Sequence, residues 1–234
     1  MDLMIKNYKD FLAGLAKVGF TMAGGNPEGI FALIPWGWQE LPPYPTKVAW
    51  HTGDPDRDPW QWRIRILEEN RGIAYGKVFF KKGGFITKLW YPYFLAARRS
   101  GQTFQALYSD GTISHEAKQL YEIIQTRGPI PLHRLKIEAG VQKADNSQFE
   151  RTLVELQMGL FITIHGTEQK VSQDGKPYGW SSTVFSTTEQ FFGPAVFEEA
   201  QSISKEIALD KIRNQILLLN PNATPGKIKK FILG

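Results

Sequence analysis

Apolar residues recur along this chain with a helical period in some stretches and a strand-like alternation in others. Phe11, Leu12, Leu15 and Val18 stand at i, i+1, i+4 and i+7, which predicts a short amphipathic helix near the N-terminus. The stretch from Gly24 to Pro59 is rich in proline and glycine but carries Trp36, Trp38, Tyr44 and Trp50, so it is expected to be irregular and anchored by its aromatics. Asp58-Pro59 is a helix start, a capping carboxylate followed by proline at the first helical position. Trp60, Ile64, Leu67 and Trp62 are expected to supply the buried face of that helix. The segment GKVFFKKGGFITKLW reads as a β-hairpin that turns at Lys81–Gly84, with Val78 and Phe80 on one face.

The pattern is most informative between residues 112 and 186. Ser114 is placed to cap a helix that carries Ala117, Leu120, Tyr121 and Ile124 on one face and ends near Thr126-Arg127-Gly128. The link GPIP leads to a second helix over about Leu132 to Ala139, closed by Gly140. A third helix spans roughly Ser147 to Met158, with Phe149, Leu153, Leu156 and Leu160 near helical spacing. LFITI (160–164) and WSSTVF (180–185) then read as strands on either side of a polar excursion with an Asp174-Gly175 turn. Three helices followed by a two-stranded wing is the winged-helix order. Further on, a helix is expected over Ile203–Leu219, then a loop LNPNATPG with Thr224 as cap, then a short helix ending in Phe231-Ile232.

The length of 234 residues allows one or two domains, and 30 aromatics, 7 of them Trp, supply ample material for a core. The absence of cysteine excludes disulfides, thiolate zinc sites and cysteine nucleophiles. No apolar run reaches the ~18 residues of a membrane span, and the lysine-dotted N-terminus does not read as a signal peptide. A soluble cytoplasmic protein with no membrane association is therefore expected.

Charge is distributed unevenly. Residues 61–99 hold nine basic side chains against Glu68 and Glu69, a local +7 in a chain whose net charge is +5, so the remainder is slightly acidic. Tyr75, Phe79, Phe80, Phe85, Trp90, Tyr91, Tyr93 and Phe94 are interleaved with Arg63, Arg65, Arg71, Lys77, Lys81, Lys82, Lys88, Arg98 and Arg99. Exposed, such a set binds phosphates and stacks bases. Folded into a hairpin, the aromatics become core and the lysines a solvated rim. In the third helix the expected outward residues are Gln148, Arg151, Thr152 and Glu155. The first three can bond base edges or phosphates, whereas Glu150 and Glu155 oppose phosphate approach. The wing adds Lys170 and Lys176 but also Glu168 and Asp174.

The segments GTISHEAKQLYEIIQTRGPIPLHRLK, FERTLVELQMGLFIT, YGWSSTVF and AYGKVFFKKGGFITKLWYPYF resemble the bacterial AlkZ-like winged-helix family, over roughly residues 60–220. The resemblance implies tandem winged-helix units and a link to DNA repair, since the family includes glycosylases that release alkylated or crosslinked bases. Those glycosylases carry a Gln-apolar-Gln or Gln-apolar-Asp motif near the N-terminus. Here Gln61-Trp62-Arg63 and Gln157-Met158-Gly159 fail at the third position, and Gln173 with Asp174 has the wrong spacing. No catalytic residue is carried over.

Other chemistry is weakly signalled. His51, Asp54, Asp56 and Asp58 could hold a cation, but the Asp-Pro spacing suits turns and a helix cap better, and no metal or cofactor is expected. An aromatic pocket of Trp60, Trp62, Tyr91 and Tyr93 beside Asp54, Asp56, Asp58, Glu68 and Glu69 would suit a flipped base. The expected architecture is α+β, mostly helical, with winged helix-turn-helix units and an aromatic-rich N-terminal region. Its parts are 1–109 as that region, 110–190 as the winged helix and 191–234 as a partial second unit. The expected function is non-catalytic binding of double-stranded DNA. Arg63, Arg65, Lys81, Lys82, Arg98, Arg99, Lys170 and Lys176 would contact phosphates, and Gln148, Arg151 and Thr152 would form the helix face. A glycosylase with a shifted active site and a module for protein partners or self-association are the alternatives.

Overall fold

The computed structural model describes residues 4–69, 72–172 and 174–234. The fold is α+β and mostly helical, in two compact units. A terminal unit is built from both chain ends, Met1–Gly101 and Pro194–Gly234, and a central unit from Gln102–Gly193. The boundary expected at 109/110 thus falls at 101/102. The C-terminal residues, expected as a separate partial unit, share a core with the N-terminal ones.

In the terminal unit, helix α1 (Tyr8–Val18) is capped by Asn7, whose side chain accepts the Asp10 N–H, and it buries Phe11, Leu15 and Val18 as the periodicity predicts. Gly19 ends it with φ +90, where a Cβ would lie 2.0 Å from the Trp90 ring. Strand β1 (Phe20–Met22) follows, and helix α2 (Pro59–Glu68) begins as expected with Asp58 as cap and Pro59 in its first turn. The buried face of α2 is rotated from the expected one: Pro59, Trp62, Ile66 and Leu67 are inside, while Trp60 is 43% exposed.

Strands β2 (Ile73–Phe79) and β3 (Lys82–Thr87) form the hairpin, and β1 pairs with the other edge of β3, all antiparallel. The turn is Phe80-Lys81, both with positive φ (51° and 61°), the geometry of a two-residue type I′ loop, instead of the expected Lys81–Gly84. Gly84 sits inside β3, where a Cβ would come within 2.3 Å of the Phe79 ring. Glycine is needed there for close packing, and that misplaced the turn in the sequence. Helix α3 (Tyr91–Arg99) was not anticipated, and it takes Tyr91 and Phe94 into the core.

The central unit opens with α4 (Phe104–Ser109) and α5 (His115–Arg127), whose cap Ser114 accepts the Ala117 N–H. Strand β4 (Ile130–Pro131), α6 (Leu132–Glu138), a 3-10 turn at Lys143–Asp145 and α7 (Asn146–Met158) come next. Strands β5 (Ile162–Glu168) and β6 (Ser182–Thr187) flank the wing, and α8 (Thr188–Phe192) closes the unit. Strand β6 pairs antiparallel with both β5 and β4. The order is helix–strand–helix–helix–strand–strand, with β6 between β5 and β4; the expected three helices and two-stranded excursion are joined by the extra strand β4. Leu120, Ile124, Leu135, Phe149, Leu153, Leu156 and Phe185 meet in the core of the unit.

Helices α9 (Ala195–Gln201), α10 (Lys205–Leu219) and α11 (Pro225–Leu233) return to the terminal unit. Phe231 stacks on Phe79 at 3.9 Å and lies 5.6 Å from Phe20, which meets Phe94 edge-on at 5.2 Å. Each such ring buried contributes ~1.5–3 kcal/mol. Asn220 donates to the carbonyls of Gly29 and Ile30, Tyr44 Oη accepts the Ile5 N–H, and Thr21 Oγ1 accepts the Leu33 N–H. Those bonds order the proline-rich segment without regular structure. Among the described residues, no helix is long and apolar enough to cross a membrane.

Candidate nucleic-acid interface

The basic segment is put to several uses. Arg98 donates Nε to the Ile232 carbonyl (2.7 Å) and Nη2 to the Val78 and Phe231 carbonyls (2.9 and 3.1 Å). It thereby satisfies carbonyls at the C-terminal end of α11, where a cation also complements the helix dipole. Burial lowers its pKa to about 10, which still leaves it charged at neutral pH. Arg99 is buried, with its guanidinium 5.7 Å from the Phe197 ring. Arg65 bonds Glu69 and the Pro55 carbonyl and lies on the Tyr8 ring at 3.9 Å. Lys82 pairs with Glu28 at 2.6 Å in the open, an arrangement worth at most ~1 kcal/mol. Lys81 is exposed on the hairpin turn with no ion pair among the described residues. Arg71 lies outside the described residues.

The interleaved aromatics are mostly core: Phe79, Phe85, Tyr91 and Phe94 are at most 1% exposed. The hairpin reading with a solvated rim of lysines therefore holds for these rings, and base stacking by them is excluded.

On α7 the exposed residues include Ser147, Gln148, Glu150, Arg151 and Glu155. Thr152 is not on that face; it is buried, and its hydroxyl donates to the Gln148 carbonyl one turn back. Its place among apolar neighbours follows from i+3 spacing to Phe149 on the inner stripe. Arg151 bonds weakly to the Ser147 carbonyl (3.3 Å), which leaves most of its donors in solvent. The wing is held by a Val171–Pro177 bridge and a turn at Asp174-Gly175, as expected, with Gln173 outside the described residues. It presents Lys170 and Lys176 together with Tyr178 and a Trp180 that is 92% exposed. At its base His165 Nδ1 lies 3.2 Å from Ser186 Oγ, and partial burial lowers the imidazole pKa below its ordinary value.

A pocket the sequence only partly signalled lies in the terminal unit. Trp38, Trp50, His51, Trp60, Arg63 and Tyr75 line a cavity of about 250 Å³ with Gly24, Gly37 and Gly83 among its walls. Its hub is His51, whose ring is 5.0 Å from Trp60, 6.3 Å from Trp38 and 6.4 Å from Trp50. His51 holds φ +60, a left-handed conformation that costs a β-carbon residue free energy and persists only where neighbours impose it. Asp58 imposes it. Its fully buried carboxylate accepts the N–H groups of His51 (3.1 Å), Gly53 (2.9 Å) and Trp60 (2.8 Å).

Of the pocket expected from the sequence, Trp60 is present, whereas Trp62 and Tyr91 are core and Asp58 is a backbone clamp. Among the described residues, no Asp or Glu is one of those lining the cavity, although Glu40 accepts the N–H of the wall residue Gly37. Among the described residues, no group of three or more His, Asp or Glu side chains is placed to hold a metal.

Against known families, a model described as AlkZ related matches residues 5–233, nearly the whole chain. The chain belongs to that AlkZ-related family, as the resemblance read from its segments implied. Comparison with curated proteins and with solved structures gives no match.

Proposed function

From membership of the AlkZ-related family, which points to a DNA-repair-related protein, we propose that this chain binds double-stranded DNA through its central unit and removes no base from it. The observation that carries the reading is α7, a solvent-facing helix in the third-helix position of a winged-helix order, with Gln148 and Arg151 outward and Lys170 and Lys176 on the adjoining wing. Gln and Arg are suited to adenine and guanine edges, and the wing lysines to phosphates. Lys81 and Lys82 lie in the terminal unit and are not part of this surface. Arg65, Arg98, Arg99 and Thr152 are left out because their donors are spent inside the fold. The non-catalytic part rests on the missing Gln-apolar-Gln or Gln-apolar-Asp motif.

The test is anisotropy of a labelled 20-base-pair duplex, undamaged and alkylated, across a salt series. Log affinity should fall against log salt with a slope of ~0.9 per phosphate neutralised. Alkali treatment of the same samples should give no strand breaks. Breaks on the alkylated duplex would replace this reading with a glycosylase, and no binding at low salt would leave a protein-interaction module.

A further inference from the structure

We propose that the aromatic pocket of the terminal unit binds a single unpaired nucleobase, with the adjoining phosphate on Arg63. The inference goes beyond duplex binding by the central unit, since it concerns another unit and needs no groove.

Three observations select this ligand class. The first is size. About 250 Å³ falls below the ~300–1,000 Å³ of sites for drug-sized ligands and suits one planar heterocycle. The second is the wall chemistry. Three tryptophans, a histidine and a tyrosine offer ring faces and edges, and stacking on such faces is tolerant of base identity. Trp38 and Trp60 are 66% and 43% exposed, so the rings can be reached from solvent.

The third observation is charge. Arg63 lies 3.2 Å from the centre of the Trp60 ring and gives Nε to the Trp60 carbonyl at 3.0 Å, and its Nη groups have no acceptor among the described residues. With a guanidinium already on that ring and no Asp or Glu among the described lining residues, a quaternary ammonium ligand is disfavoured. An electron-rich ring attached to an anion is favoured, and a guanidinium fork fits phosphate oxygens.

The site is also built to keep its shape. Asp58 fixes His51 and Trp60 through three backbone N–H groups, and Gly24 lets Trp50 pack where a Cβ would lie 2.2 Å from the indole. A strained backbone and a backbone-close indole hold the rings apart, and residues held this way are a recurrent feature of ligand clamps.

The test uses the full chain and two kinds of probe. The first is a duplex with one bulged 2-aminopurine, compared with the same duplex fully paired. The second is free adenosine monophosphate, followed by the indole N–H resonances of Trp38, Trp50 and Trp60. The bulged duplex should bind at least about fivefold tighter than the paired one, the lower end for one stacked base, with quenched 2-aminopurine emission. Trp60→Ala and Trp38→Ala, both at exposed positions, should bring that ratio to about one, and Arg63→Gln should lower it. Shifts of these indole resonances by the free nucleotide would support the pocket even if neither duplex binds, in which case only the duplex reading falls. Equal affinity for both duplexes with no indole shift, or a ratio that survives Trp60→Ala and Trp38→Ala together, would overturn the proposal and leave duplex binding standing.

Discussion

Arg98 and Arg151 both lie on helices, four places after Phe94 and Ser147 respectively, yet their surroundings assign them opposite work. In the terminal unit the Arg98 guanidinium closes on three backbone carbonyls, two of them from the end of α11 more than 130 residues away. In the central unit Arg151 reaches only a carbonyl of its own helix and leaves the rest of its fork in water. The same contrast runs through the aromatics. Phe20, Phe79, Phe94 and Phe231 make a closed cluster in the terminal unit, while the wing of the central unit holds Trp180 almost wholly in solvent. Charge and aromatic content therefore cannot be read as a binding surface until it is known which donors and faces the fold has already used. The terminal unit uses most of them, and leaves a concave aromatic pocket and a few exposed lysines such as Lys81. The central unit leaves a convex helix and a wing.

The largest effect is expected at Arg98, whose side chain a surface cation's role would leave dispensable for folding. Arg98→Ala strips partners from three partly buried carbonyls, each bond to a charged donor being worth ~1.5–3 kcal/mol. The terminal unit should lose about 3 kcal/mol or more, read as a lowered urea midpoint of its cooperative transition. Arg98→Lys keeps the charge but not the fork, and should recover only part of that loss. An unchanged midpoint would mean that Arg98 is free to contact phosphate after all.

A smaller effect is expected at Arg151, and on a different observable. Arg151→Ala should leave stability within ~0.5 kcal/mol, as for exposed positions, and should weaken duplex affinity about tenfold. If the contact is to phosphate, the salt slope also falls by ~0.9. Arg65→Ala is the control from the other unit, where the guanidinium is held by Glu69, Pro55 and Tyr8, and its duplex affinity should stay within about twofold. Reversal of the two results would move the duplex interface to the terminal unit.

Thr152 and Gln148 give a finer test within α7. Thr152→Val keeps the shape and removes a hydroxyl that bonds only the Gln148 carbonyl, so stability should change by less than ~1 kcal/mol and DNA affinity not at all. Gln148→Ala, one turn earlier and exposed, should instead relax the preference for adenine by ~1 kcal/mol or more.

The two units also differ in how much of them a sequence can carry. In the central unit the signals are local. Ser114 with Ala117, Leu120, Tyr121 and Ile124 defines α5 within a dozen residues, and the Asp174-Gly175 turn marks the wing. The elements the sequence does not show are β4, two residues long and bounded by proline, and the short helices α4 and α8, all too short to carry a clear period. In the terminal unit the decisive partners are remote. Helix α3 is masked by the run Tyr91-Pro92-Tyr93-Phe94, which has no single polar face, and its burial depends on Phe231 and the carbonyls of α11. The pocket draws Trp38, Trp50, Trp60 and Tyr75 from separate segments. Asp58-Pro59 gave the cap, but nothing local said that the same carboxylate would bend His51 into a left-handed conformation.

The smallest expected effect concerns acid, and it separates the units once more. His165 stands at the base of the wing, edge-on to Phe191 at 5.9 Å, and partial burial holds its pKa below the ordinary value near 6.5. In the unfolded chain the imidazole returns to about 6.5, so above that pH both states are neutral and the group adds nothing. As pH falls below 6.5 the unfolded chain takes up the proton first, and the central unit loses stability until the folded-state pKa is passed. Because the ring is still substantially in solvent, the loss should be small. His165→Gln removes the titration while keeping a polar group near Ser186. Its urea midpoint for the central unit should therefore fall less than that of the wild type between pH 7.5 and 5.5. Equal falls in the two proteins would assign the acid response to other groups, and a histidine resonance titrating at or above 6.5 for His165 would remove the physical basis of the prediction.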